Sequence, residues 1–271
     1  MKIGILTLRL FKNYGGILQN YALSRFLQKN GYDVETINIV WSYQLNGVKK
    51  YFVWLKRLVR NMLIGKWYSL DEEKILRNNE LVAAQRVNAF KEKNIPLSQK
   101  VYSLPGADFS DISNKYDTII VGSDQVWRPK YTGGIEKYFL SFADNRIKKI
   151  AYSASFGTDK NEYSFYEKWV CGKLIKRFDA ISVREESAIS LIREQLHWDV
   201  DVIQTLDPTM LLDITDYKSL VGQVVNNNKI FVYILDSSVQ KISFVEKLEK
   251  VLCMPGFTIT PKGMDLSLIH I

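Results

Sequence analysis

Histidine and cysteine are scarce: the 271 residues contain two of each, His197, His270, Cys171 and Cys253. The cysteines have no metal-ligand or redox spacing, and a lone pair so far apart reads as reduced, structural thiols. No metal site is expected. No apolar run approaches the length of a membrane span. The N-terminus enters a strand directly, so no signal peptide is visible and a cytoplasmic protein is expected. Internal repeats and low-complexity tracts are also missing. What the chain does have is 46% apolar and 13% aromatic residues, ample for a packed core and opposed to disorder. Its length fits one large domain or two of ordinary size.

The formal charge of +8 suits an anionic partner of unspecified kind; no nucleic-acid partner is expected. Six basic residues and no acid fall between Val48 and Trp67: Lys49, Lys50, Lys56, Arg57, Arg60 and Lys66. Phe52, Leu55, Val59, Met62 and Leu63 share one helical face there. Two readings are open. The commoner is a helix packed on its domain with a solvated basic face. The other is an interfacial helix, with Trp54 and Trp67 near its ends, that holds the protein peripherally at the inner membrane face.

Short β-branched segments alternate with helical ones along most of the chain. Strands are predicted at Lys2–Leu8, Tyr32–Ile39, Asp117–Gly122, Lys149–Ser155, Ala180–Val183 and Val200–Ile203. Helices are predicted from Ile17, over 71–94 up to the stop at Pro96, over 162–178 and over 185–196. This order implies an α/β fold, a Rossmann-like parallel sheet with helices on both faces. Asn226-Asn227-Asn228 reads as a linker, giving a domain over residues 1–225. Beyond it, a strand at Lys229–Leu235 and a helix at Val239–Leu252 restart a second α/β unit over residues 226–271. Met254–Ile271 has no clear helical period.

The most informative stretch is Gly122-Ser123-Asp124-Gln125-Val126-Trp127, where a strand breaks into small and polar residues. Ligand crevices in parallel α/β proteins form at such strand ends. Asn13-Tyr14-Gly15-Gly16 has the same character after the first strand, and both loops would face one ligand. Asn13, Tyr14, Gly15 and Gly16 suit an anion or a sugar, or simply form a turn before a helix. Asp124 and Gln125 could hold sugar hydroxyls, or Asp124 could cap the next segment. Trp127 suits stacking on a sugar ring, though a tryptophan after a strand is more often core. Ser123 falls in the same loop as Asp124, and Ser153 and Ser155, at the end of the next strand, could line the cleft floor or only satisfy backbone groups. Arg184, following a strand and preceding a helix, suits an anion clamp; the alternative pairs it with Glu185 or Asp207. His197, beside Trp198, reads as structural.

Five motifs in order over residues 1 to about 235 resemble the polysaccharide pyruvyl transferase family. They are Asn13-Tyr14-Gly15-Gly16-Ile17-Leu18-Gln19, Gly122-Ser123-Asp124-Gln125-Val126-Trp127, Ala151-Tyr152-Ser153-Ala154-Ser155-Phe156-Gly157, Ser182-Val183-Arg184-Glu185 and Leu206-Asp207-Pro208-Thr209. The resemblance implies two Rossmann-like domains facing across a cleft, as in the GT-B arrangement of glycosyltransferases. It also implies transfer of pyruvate from phosphoenolpyruvate, as co-substrate and without a cofactor, to two hydroxyls of a sugar in a bacterial surface-polysaccharide precursor, free or lipid-linked. Arg184 matches the arginine that holds phosphoenolpyruvate in the family. The family's general acid is a histidine in a Phe-His-Gly-like motif of the second domain, and this chain has no such motif. The expectation is therefore a truncated or frameshifted member, deficient in catalysis. Two other classes stay open: a GT-B-like glycosyltransferase using a nucleotide sugar, and a non-catalytic binding or scaffold subunit.

Overall fold

The computed structural model describes residues 1–11, 13–41, 87–104, 107–221, 228–234 and 238–258. The basic stretch 48–67, the predicted helix up to residue 86, the first two linker asparagines and His270 lie outside the described residues. Two compact units divide the chain, Met1–Asp213 and Ile214–Ile271.

The first unit is built on seven parallel strands: β1 (Lys2–Leu6), β2 (Asp33–Trp41), β3 (Leu97–Leu104), β4 (Thr118–Val121), β5 (Lys148–Ala154), β6 (Ala180–Val183) and β7 (Ile203–Gln204). Their order in the sheet is β3-β2-β1-β4-β5-β6-β7. The order reverses between β1 and β4, so the loops leaving these two strands diverge and open a crevice at the carboxyl edge. The α/β parallel fold expected from the alternation is present. β3 was not anticipated, since Ser98, Gln99 and Lys100 interrupt its apolar pattern, as an edge position permits. Val200–Val202, expected as strand, stays outside the ladder, which begins at Ile203.

Each sheet face buries its own set of side chains, because neighbouring strand residues point to opposite faces. On one face Ile3, Ile5, Val34 and Ile120 pack with Leu23 of helix α1 (Tyr14–Lys29). On the other, Ile119 and Val121 join a large aromatic cluster that includes Trp127, Phe139, Phe156, Tyr163 and Trp198. Helix α2 (Phe165–Ile175) starts three residues later than its apolar pattern suggested, because Ser164 forms a capping box with Glu167. The helix expected over 185–196 is α3 (Glu186–Ser190), which widens into a π-turn at Leu191–Gln195.

The second unit holds β8 (Ile230–Phe231) and β9 (Gly256–Phe257), paired in parallel and connected by α4 (Val239–Leu252). α4 has the bounds its sequence predicts. β8 is shorter than the expected strand, and β9 was not foreseen in a segment of prolines and glycines. Among the described residues, no helix is long and apolar enough to cross a membrane.

Candidate functional site

The β1 and β4 loops meet at the carboxyl edge through Asn13. Its side-chain oxygen caps α1 by accepting from the Gly16 N–H (3.1 Å), and its amide donates to Asp124 Oδ2 (2.9 Å). Gly16 has to be glycine for this contact: a Cβ there would lie 2.7 Å from Asp124 Oδ2. The Asp124 carboxylate thus sits against the positive end of the α1 dipole, and Oδ1 accepts from the Gln125 N–H at 2.8 Å. Asp124 is only 8% exposed. Burial raises its carboxyl above the ordinary value, against the Gln125 N–H, the Arg184 charge and the Asn13 amide, which all favour the anion. The first-turn N–H groups of Tyr14 and Gly15 have no acceptor within the helix and face outward, by the general rule for helix starts.

The turn into Asp124 depends on a second glycine. Gly122 has φ +140°, and a Cβ on it would lie 2.1 Å from the Tyr152 carbonyl oxygen. Tyr152 lies within an irregularity in the β5–β6 register between Ala151 and Ala154. At its centre Ser153 has φ +49° and gives its N–H to Ser182 Oγ at 2.9 Å.

β6 delivers Arg184 to the same edge. Its Nε and Nη2 both lie 3.1 Å from Glu185 Oε1, and Nη1 is 3.5 Å from Asp207 Oδ2. Both pairings foreseen as the alternative to an anion clamp are therefore made, with the Asp207 contact the looser. Gln19, on α1, donates from Nε2 to Asp207 Oδ2. Ser155 Oγ donates to Glu185 Oε1 at 2.5 Å and accepts from the Gly157 N–H. A continuous polar network thus joins α1 to the ends of β5 and β6, and the Arg184 charge reaches Asp124 across it. Two carboxylates contact one guanidinium, and its charge is felt by a third, Asp124. Within this network the buried atoms Gln19 Oε1 and Glu185 Oε2, with Ser123 Oγ beside Asp124, have no hydrogen-bond partner. Buried polar groups are normally satisfied, and these three atoms are exceptions.

Asn13, Gly16, Asp124, Arg184 and Ser155 come together at this edge, with Tyr14 and Gly15 on the first turn of α1. Ser155, fully buried, acts on Glu185 rather than facing the crevice. Gln125 packs on Gly157 and accepts from Arg128 Nη1 at 3.2 Å. Trp127 does not fit the sugar-stacking role. It is 0% exposed, stacks on Phe139 with ring centroids 5.0 Å apart and donates its indole N–H to the Tyr138 carbonyl. Phe156 and Phe178 also pack on its ring. His197 is exposed at a left-handed turn away from these contacts. Gln19, Glu185 and Asp207 were not singled out as ligands from sequence, although each lies within a motif quoted above. Among the described residues no cluster of three or more His, Cys, Asp or Glu is placed to hold a metal ion.

The model of one protein family, described as polysaccharide pyruvyl transferase, matches residues 13–254. No curated protein matches the chain.

Proposed function

The chain belongs to the polysaccharide pyruvyl transferase family, and from that membership we propose that it transfers the pyruvyl group of phosphoenolpyruvate to two hydroxyls of a saccharide. The acceptor is a surface-polysaccharide precursor, and the product is a cyclic ketal. In this reaction the methylene carbon gains a proton and C2 becomes electrophilic. One sugar hydroxyl adds at C2. The second displaces phosphate by breaking its bond to C2; of the two hydroxyl protons lost, one balances the proton gained by the methylene carbon and the other leaves with phosphate.

The observation that carries the assignment is the position of Arg184 at the carboxyl edge, joined by Asp207 and Gln19 to the helix that starts at Tyr14. Guanidinium groups hold carboxylates and phosphates in a bidentate manner, and the start of a helix adds outward N–H groups. A donor anion takes the place of Asp207 at Nη1, the loosest of the Arg184 contacts. Asp124, Glu185 and Asp207 are hydrogen-bond acceptors for sugar hydroxyls, which donate to carboxylates and accept from the Asn13 and Gln19 amides.

The pairing of Arg184 with two carboxylates also favours a second reading. In it, Arg184 neutralises and orients Glu185 and Asp207 for the acceptor and does not touch the donor. Calorimetric titration of the chain with phosphoenolpyruvate, beside phosphate release on a panel of lipid-linked and nucleotide-linked sugars, tests both. Loss of donor affinity in Arg184→Ala supports the first. Unchanged donor affinity with a raised KM for the acceptor supports the second. Stabilisation by nucleotide sugars alone would overturn both.

A further inference from the structure

Helix α2 turns an unusual face to solvent. Phe165 is 90% exposed, Tyr166 71% and Trp169 53%, whereas an isolated surface helix normally buries its aromatic side chains. At 100° per residue, Phe165, Lys176, Trp169, Lys173 and Tyr166 fall in that order within one sector of about 100°. Lys173 and Lys176 are also exposed. The face is ordered: the Tyr166 and Trp169 rings lie 6.5 Å apart, and Lys173 Nζ sits 3.7 Å from the Trp169 ring centroid. No acid falls among these five positions. Glu167, outside this sector, is committed to the Ser164 capping box, and Lys168 donates to the Gln195 carbonyl.

We infer that this face docks the protein on an anionic membrane surface. The physical match is specific. Tryptophan and tyrosine rings settle at the headgroup level of a bilayer, and lysines reach past an apolar face to the phosphates. The surface is the convex side of a helix, which suits a flat bilayer; its five positions offer two ammonium groups but no carboxylate or amide to select a sugar. A symmetric contact with a second copy would bring the Lys173 and Lys176 side chains of both copies together. The helix also has a useful orientation. A crossover helix runs back against its strands, so its first turn, with Phe165, Tyr166 and Trp169, lies at the carboxyl edge of the sheet. That is the edge where the crevice opens. The inference rests on this face alone and not on the assignment of donor or acceptor.

The test uses the full chain and vesicles of phosphatidylcholine with and without phosphatidylglycerol. The intact protein co-sediments with the anionic vesicles and is released as salt rises. Each lysine near an anionic surface contributes about fivefold in partitioning, so Lys173→Gln with Lys176→Gln lowers it about 25-fold. Phe165→Ser with Trp169→Ser lowers it at least as much. All four side chains are exposed, so melting temperatures stay close to that of the parent and separate lost docking from lost fold. In the intact protein, brominated lipid quenches part of the tryptophan emission, and Trp169→Phe removes that part. Three results would each overturn the inference. One is the absence of vesicle binding. Another is binding that survives both double substitutions, as would occur if the stretch 48–67 did the docking. The third is a Phe165-dependent and Trp169-dependent dimer, or retention on an immobilised glycan, in place of vesicle binding.

Discussion

The Asn13 amide donates to Asp124 Oδ2 at 2.9 Å while the Asn13 side-chain oxygen caps the helix that follows it. One side chain therefore fixes the helix start and the carboxylate together, across the point where the strand order reverses. Asn13→Ala removes both bonds. Stability should fall by about 1–2 kcal/mol, seen as a lower denaturant midpoint at unchanged slope. Asn13→Asp keeps a cap but sets two acids against each other, and it should also destabilise. An unchanged midpoint in both variants would show that the bridge carries no weight.

Asp124 should titrate above its ordinary value of 3.8, because burial penalises the anion. Arg184 and Asn13 pull the other way, so Arg184→Ala and Asn13→Ala should each raise the value further. Carbon-detected NMR of the labelled carboxyl measures this directly. The sign for stability follows: a carboxyl with a raised folded value costs stability when ionised. The cost is full above the folded value and disappears as pH falls below 3.8. A folded value below 3.8 would mean that the helix start and Arg184 outweigh burial.

Arg184→Ala should weaken phosphoenolpyruvate binding by roughly ten- to a hundredfold, the usual loss for a charge-assisted contact of about 1.5–3 kcal/mol. It should also destabilise modestly, since Glu185 and Asp207 lose their counter-ion. Asp207→Asn is the sharper probe. It keeps an oxygen to cap the turn at Pro208–Met210, yet removes the negative charge nearest Nη1. Donor affinity should therefore rise in calorimetry. A fall would mean that the donor does not compete with Asp207.

The loop between β5 and α2 is held by an ion pair outside the crevice. Glu162 accepts from Arg128 Nε (3.0 Å) and Nη2 (3.1 Å), with Lys130 Nζ at 2.8 Å. The Arg128 guanidinium holds the Glu162 carboxyl down at about 2, from an ordinary 4.5. Its contribution is complete above pH 4.5 and is lost as pH falls toward 2. Glu162→Gln should cost about 1–2 kcal/mol at neutral pH and flatten the acid limb of the stability curve in that window. An acid limb of unaltered slope would place the acid sensitivity elsewhere.

Trp127→Ala should cost about 3–5 kcal/mol, as for other buried aromatic truncations, and should lower the melting temperature sharply. The milder Trp127→Phe should leave acceptor KM unchanged in the phosphate-release assay. A KM effect in that variant at preserved stability would reopen the sugar-stacking role.

The parallel sheet was legible because β1, β4, β5 and β6 carry dense apolar runs that end in glycine, serine or a charge. The crevice was legible because two such ends, at Asn13 and Asp124, share one grammar. β3 was hidden because its Gln99 and Lys100 face solvent at a sheet edge, where alternation is not enforced. Trp127 misled because a strand-end motif does not reveal which way its side chains turn. Gln19 and Asp207 meet only after the chain has passed through six strands. Each lies in a separate motif that was visible, but the hydrogen bond between them was not.

Both margins of the seven-stranded sheet are poor templates for an eighth strand. β7 is two residues long, too short to recruit a partner. β3 follows Pro96, which has no N–H to offer, and carries Lys100 along its exposed length. Short margins, proline and lysine are the devices that keep open sheets from joining edge to edge. Among the described residues, the two margins of this sheet therefore disfavour backbone pairing with a second copy of it.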